Sequence, residues 1–104
     1  MILIAGTISI DPAKRDIAIK AVQELMAETR KEKGCVAYVM SGDFDDAGCL
    51  RLFEEWETEQ ALDSHLKAPH MAKFQSQIPN LGFRGMKAER YEVASKGPLG
   101  GPRR

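Results

Sequence analysis

The sequence lacks an excess of charge of either sign, with 15 Lys and Arg against 15 Asp and Glu in 104 residues. Three of the basic residues, Lys96, Arg103 and Arg104, belong to the C-terminal segment. Without them, residues 1–95 carry 12 basic against 15 acidic side chains. Proteins that bind nucleic acid normally present a basic face. The mildly acidic body therefore argues against a nucleic-acid partner.

The sequence also lacks an apolar N-terminal segment long enough to cross a membrane. The first ten residues are apolar, but they have no cationic start and they alternate in the manner of a strand. We therefore expect a cytoplasmic protein with no membrane partner.

Cysteine is scarce, since only Cys35 and Cys49 occur. They fall at opposite ends of a predicted hairpin, about 23 Å apart at roughly 3.3 Å per residue. A disulfide between them within one chain is therefore out of reach.

Alternation of apolar and polar residues predicts four strands. The first is marked by isoleucines at positions 2, 4, 8 and 10. A polar loop at residues 43–48 joins the second and third strands into a hairpin. The predicted strands cover residues 1–10, 35–40, 49–57 and 83–93.

Apolar residues at helical spacing predict helices after the first and third strands. Asp11 and Thr58 are suitable N-caps, Pro12 suits a first helical turn, and Gly34 is predicted to end the first helix. Pro69 is expected to interrupt the second helical region. The predicted inner faces are Ala18, Ala21, Val22, Leu25 and Met26 in the first helix, Ala61, Leu62, His65 and Leu66 in the second, and Met71, Phe74 and Ile78 beyond Pro69.

The resulting βαββαβ order in about 100 residues predicts an α+β protein, a ferredoxin-like sandwich with both helices on one sheet face. Residues 1–93 form the single predicted domain. Residues 94–104 are expected to be a flexible tail of Gly, Pro and basic residues.

The third strand is apolar on both of its sides. Leu50, Leu52 and Trp56 lie on one side, and Phe53 with the stem of Arg51 lies on the other. A monomer would leave an apolar sheet face exposed. This pattern predicts a homodimer formed by packing the sheet faces together.

Several short motifs in order resemble the antibiotic biosynthesis monooxygenase family, including its quinol monooxygenases. They are Gly34-Cys35-Val36-Ala37-Tyr38, the acidic loop, Phe53-Glu54-Glu55-Trp56-Glu57-Thr58-Glu59-Gln60-Ala61-Leu62, His65-Leu66 and Pro69-His70-Met71-Ala72-Lys73-Phe74. The similarity covers about residues 2 to 93.

The resemblance implies a dimeric α+β barrel with a pocket between sheet and helices in each subunit. It also implies oxygenation of an electron-rich phenol, quinol or anthrone by O2 without a cofactor. A deprotonated phenol or enol can give one electron to triplet dioxygen, so the protein need supply only a base, orientation and exclusion of water.

Three residues are predicted to act in catalysis: His65, Trp56 and Tyr38. His65 is the most plausible general base, because imidazole titrates near pH 6.5. Trp56 is expected at the same cavity, whereas the orientation of Tyr38 depends on the hairpin register. The predicted walls of the substrate cavity are Leu52, Leu62, Met71 and Phe74.

No metal or organic cofactor is expected. His65 and His70 are five residues apart around Pro69 and do not share a helical face. The acidic loop resembles a calcium-binding loop, but its flanks are predicted strands. Relatives that degrade haem carry a histidine where Gln75 stands, and no phosphate-cradling glycine motif points to a flavin.

Two other functions stay open. The chain could be a non-catalytic dimeric module that binds a small molecule in a stress response. It could also be an isomerase acting on a small carbonyl compound. The resemblance favours the monooxygenase.

Overall fold

The computed structural model describes residues 1–100 and confirms an α+β architecture. Within this range there are four strands and three α-helices, with single 3-10 turns at Pro12–Lys14 and Ile78–Asn80. In chain order the elements are β1 (Ile2–Ile10), α1 (Arg15–Thr29), β2 (Cys35–Gly42), β3 (Cys49–Trp56), α2 (Glu59–Leu66), α3 (Pro69–Gln77) and β4 (Phe83–Glu92).

The four strands form one antiparallel sheet in the order β2-β3-β1-β4. β1 lies between β3 and β4, with Gly6 opposite Leu52 on one side and Ala88 on the other. This order is that of a ferredoxin-like sandwich, as predicted. Every second residue of a strand points to the same face of the sheet. The apolar residues on the helix-facing side pack with α1, α2 and α3 in a single apolar core.

The first helix begins as predicted but ends earlier. The Asp11 carboxylate accepts a hydrogen bond from the Ala13 backbone N–H at 3.0 Å, before the 3-10 turn leads into α1. The prediction that Gly34 ends this helix is wrong. The backbone N–H groups of Lys31 and Glu32 donate to carbonyls three residues back instead of four, so the α-helical hydrogen-bond pattern ends and the helix stops at Thr29. Gly34, at a φ of 86°, instead turns the chain into β2.

The second helical region consists of two helices separated at Pro69. Thr58 caps α2, because its hydroxyl accepts a hydrogen bond from the Ala61 N–H at 3.1 Å. Leu62 and His65 face the core, as predicted, while Leu66 is 55 % exposed. Pro69 occupies the first turn of α3, where a backbone N–H has no acceptor within the helix, so no helical hydrogen bond is lost.

The loop between β2 and β3 is held by an ion pair within the chain. Arg51 Nε donates to Asp43 Oδ1 at 3.0 Å, and this contact lowers the pKa of the Asp43 carboxyl. Both cysteines are free thiols at opposite ends of the hairpin, as predicted.

The sheet face turned away from the helices carries exposed apolar side chains, including Val39, Phe53 and Tyr91. At one end of this face Lys96 Nζ lies 2.7 Å from Glu55 Oε2. Residues 94–100 form neither helix nor strand, and the rest of the predicted tail, 101–104, lies outside the described residues. Among residues 1–100, no helix has both the length and the apolar character needed to cross a membrane.

Candidate active site

A cavity of about 460 Å³ lies between the helix-facing side of the sheet and helices α2 and α3. The four residues predicted to bind substrate all line it, and so does His65. Its wall consists of Ile4, Ile8, Met40, Leu52, Glu54, Leu62, His65, Leu66, Met71, Phe74, Gln75, Ile78, Phe83, Gly85, Met86 and Ala88. The wall is therefore apolar apart from three side chains, of which His65 and Glu54 are titratable.

His65 is almost completely buried, with 1 % of its surface exposed. Its Nδ1 lies 2.7 Å from Glu32 Oε2. A carboxylate can only accept, so this nitrogen carries the proton and the lone pair of the neutral ring lies on Nε2. The ring also packs against Trp56, with 4.8 Å between centroids.

Glu54 lies on β3 between Leu52 and Trp56 and points to the same side of the sheet. The Trp56 indole Nε1 donates to Glu54 Oε1 at 2.9 Å. Burial raises the pKa of the Glu54 carboxyl, and the hydrogen bond from Trp56 opposes this effect only in part. The cavity therefore contains a carboxyl group that holds its proton more tightly than an exposed glutamic acid does.

Trp56 and Tyr38 lie behind His65 and Glu54 rather than in the cavity wall. Tyr38 pairs with Glu54 across the hairpin, so it shares the sheet face of Trp56. Its ring packs edge-on to His65 at 5.1 Å and to Trp56 at 6.3 Å. Burial strongly raises the pKa of the Tyr38 phenol, which therefore stays protonated.

His70 lies closer to the site than the sequence indicated. His65 and His70 lie on two different helices, α2 and α3, so they share no helical face, yet both reach the same carboxylate. His70 Nε2 lies 2.6 Å from Glu32 Oε2, the same oxygen that contacts His65. The side chains of His70 and Glu32 are only 20 % and 15 % exposed.

Two site residues, Glu54 and Glu32, were missed by sequence reasoning. Glu54 could have been found, because it occupies an inward position in the alternation Leu52, Glu54, Trp56. Glu32 lies in the turn after α1, where no periodicity shows which way a side chain points. The first helix ends earlier than predicted, and this end places Glu32 beside the two histidines.

An apolar cavity with a few convergent polar groups, here a buried histidine and a buried carboxyl, is typical of small-molecule sites in proteins. The model of the antibiotic biosynthesis monooxygenase family matches residues 1–77. The chain belongs to this family.

Individual relatives are consistent with this assignment. An uncharacterised protein of Synechocystis sp. is 29% identical over 93 residues, which are 89% of this chain. A Mycobacterium tuberculosis protein, named provisionally as a monooxygenase, is 35% identical over 65 residues, which are 62% of this chain. The aligned part of this chain spans 63% of the length of each of these two relatives.

The fold also matches solved structures. A crystal structure from Deinococcus radiodurans, described provisionally as an antibiotic biosynthesis monooxygenase, superposes with a TM-score of 0.86 at 23% identity, covering 95% of this chain and 98% of the other. The Mycobacterium tuberculosis protein superposes with a TM-score of 0.82 at 24% identity, covering 93% and 98%. At such identities the similarity establishes the fold alone.

Proposed function

We propose that the protein is a monooxygenase that oxidises an electron-rich phenol, quinol or anthrone with O2 and needs no cofactor. The observation that carries this proposal is the apolar cavity of about 460 Å³ whose wall contains His65, held through Nδ1 by Glu32, and a carboxyl of raised pKa. An aromatic substrate of two or three rings suits such a volume and such a wall.

The reaction begins with removal of a proton from the bound substrate. His65 Nε2 takes the proton, and Glu32 stabilises the imidazolium ring through Nδ1. The substrate anion gives one electron to O2, and recombination of the radical with superoxide forms a carbon–oxygen bond. The resulting peroxide anion takes the proton back from His65 and becomes a hydroperoxide. For an anthrone, loss of water from the resulting hydroperoxide leaves a carbonyl, so one oxygen atom enters the product and the other leaves as water.

The remaining polar groups have supporting roles in this proposal. Glu54, protonated more readily than an exposed glutamic acid, can donate a hydrogen bond to a substrate oxygen. Trp56 and Tyr38 do not touch the substrate but hold the His65 ring and the Glu54 carboxyl in place. The apolar wall excludes water from the radical pair, which suppresses side reactions.

The assembly proposed for the functional protein is a homodimer joined through the outer sheet faces. Val39 and Phe53 are paired across β2 and β3 on this face and are 39 % and 38 % exposed. A second copy of the sheet would cover them without disturbing the cavity, which lies on the opposite, helix-facing side of the sheet.

An oxygen-electrode screen of hydroquinones, naphthohydroquinones and anthrones tests the proposed activity. We expect O2 uptake above the autoxidation background, with mass analysis showing one added oxygen atom in the product. Tight binding of these compounds without turnover would instead favour the non-catalytic binding module, because the apolar cavity alone suffices for that function.

A further inference from the structure

A cluster of side chains of metal-ligating types adjoins the cavity on the Nδ1 side of His65. Glu32 follows α1, His65 is in the last turn of α2, and His70 is in the first turn of α3. One donor atom from each lies within 4.8 Å of the other two. Three separate segments therefore converge on one point.

We propose that Glu32, His65 and His70 form a site for a divalent transition-metal ion of the zinc class. Two imidazoles and one carboxylate, with a fourth position left to water, are a ligand set that Zn²⁺ commonly takes. The partial exposure of Glu32 and His70 gives the ion a route from solvent.

The metal-free geometry needs only a small adjustment to bind the ion. Both rings now donate to Glu32 Oε2, at 2.7 and 2.6 Å. Tetrahedral ligands at roughly 2.0–2.1 Å from zinc lie about 3.3 Å apart, so each histidine nitrogen must move about 0.6–0.7 Å away from Glu32 Oε2. The two imidazole nitrogens, which now lie within 4.8 Å of each other, must reach the same spacing. Because Glu32 and His70 lie at the surface end of the cluster, their side chains can make this adjustment while the His65 ring stays packed on Trp56.

The surroundings favour a dication. Glu24 and Glu28 share a surface groove with His70. Lys73 lies in the same groove and contacts Glu24 at 4.0 Å, while Lys31 pairs with Glu28 at 3.0 Å. The two lysines offset part of this negative charge, but neither contacts a ligand atom.

Metal binding has a direct consequence for the cavity. A metal on His65 Nδ1 displaces the proton from that nitrogen, so the neutral ring carries its proton on Nε2. Nε2 then donates instead of accepting. This part of the inference rests on the proposed function: an occupied site withdraws the base and switches the monooxygenase off.

Zinc titration of the chelator-treated protein tests the site. Competition with a chromophoric chelator should show one Zn²⁺ per chain, and excess Mg²⁺, which prefers oxygen ligands, should not displace it. His70→Gln keeps a side-chain N–H donor near Glu32 but removes a good ligand. Its Zn²⁺ affinity should fall by more than about 100-fold, since losing even a partner of a ligand costs about 10- to 100-fold.

Two single variants, Cys35→Ser and Cys49→Ser, serve as the matched controls because free thiols also bind zinc. Both variants should keep the affinity and stoichiometry of the unchanged protein. Absence of binding, or unchanged Zn²⁺ affinity in His70→Gln, would overturn the proposed site, and loss of binding in a cysteine variant would assign the ion to that thiol instead.

The effect on His65 is measured without any substrate. Nitrogen-15 correlation spectra should show the ring proton on Nδ1 before zinc is added and on Nε2 afterwards. An unchanged tautomer in a zinc-loaded protein would overturn the switch. If the protein binds zinc but shows no oxygenase activity in either the zinc-free or the zinc-loaded form, only the proposed function is rejected. If it is active but does not bind zinc, only the metal site is rejected.

Discussion

His65 is the residue on which the contacts of the site converge, since it joins the cavity, Trp56, Tyr38 and Glu32. If its Nε2 is the base, His65→Ala should lower the turnover number by about 10²- to 10⁴-fold, the usual contribution of a general base. His65→Gln fills most of the vacated volume and should show a similar loss. Oxygen uptake gives the activity, and circular dichroism with thermal unfolding shows whether the fold is intact. Full activity in a less stable protein would mean that His65 is only a core residue.

Trp56 should behave differently, because it lies one layer behind the cavity. Trp56→Phe keeps an aromatic ring against His65 but removes the indole N–H that Glu54 accepts. We expect a higher KM with a smaller change in kcat, since in the proposed mechanism Glu54 orients the substrate while His65 remains as the base. Steady-state kinetics separates the two parameters, and a loss of kcat as large as that of His65→Ala would contradict this assignment.

Glu54 predicts a pH dependence of stability. Burial raises its pKa in the folded state above that in the unfolded chain, so folding favours the protonated form. Its stabilising contribution is therefore fully present below the unfolded pKa and is lost as pH rises through the raised folded pKa. Glu54→Gln keeps an acceptor for Trp56 and removes the titration. Urea unfolding between about pH 4 and 8 should show the variant gaining stability relative to the unchanged protein as pH rises. A constant difference across this range would show that Glu54 titrates normally.

At the scale of secondary-structure elements, the close packing of β1 against β4 depends on Gly6. A Cβ at this position would overlap the Lys87 carbonyl oxygen and lie 2.5 Å from the Ala88 Cα. Gly6→Ala should therefore cost about 1–3 kcal/mol of unfolding free energy, the usual range for overpacking. Gly85→Ala is the matched control, since its Cβ would meet nothing within 4 Å. Urea unfolding at one protein concentration should show a change within about 0.5 kcal/mol for the control. Equal effects in both variants would contradict the close approach of the two strands.

The elements were predictable because each carries a local signal. Alternating isoleucines mark β1, Asp11 and Thr58 mark helix starts, and their hydrogen bonds in the structure confirm both caps. The cluster at Glu32 was not predictable in this way. Its geometry depends on where α1 stops and on how α3 turns after Pro69, and both are set by tertiary packing rather than by residue spacing.

At the scale of the whole molecule, the exposed apolar sheet face predicts a dimer. Phe53→Asp would place an unpaired charge in the proposed interface, so it should give monomers of 11.5 kDa or aggregates. Phe44→Asp makes the same chemical change in the loop between β2 and β3, where Phe44 is fully exposed, and should leave the dimer intact. Light scattering at micromolar concentration measures both. A monomeric unchanged protein would refute the proposed assembly.

The cavity divides chemistry and shape between different parts of the chain. The titratable side chains come from α2 and β3, whereas Met71, Ile78 and Met86 come from α3, the turn after it and β4. Substitutions among these three residues alter the size and contour of the wall without breaking any hydrogen bond of His65 or Glu54. If the proposed activity holds, a gene duplicate can therefore evolve toward a differently shaped substrate in small steps, each of which preserves His65 and Glu54. A substitution library for laboratory evolution of this chain should therefore vary the same three positions.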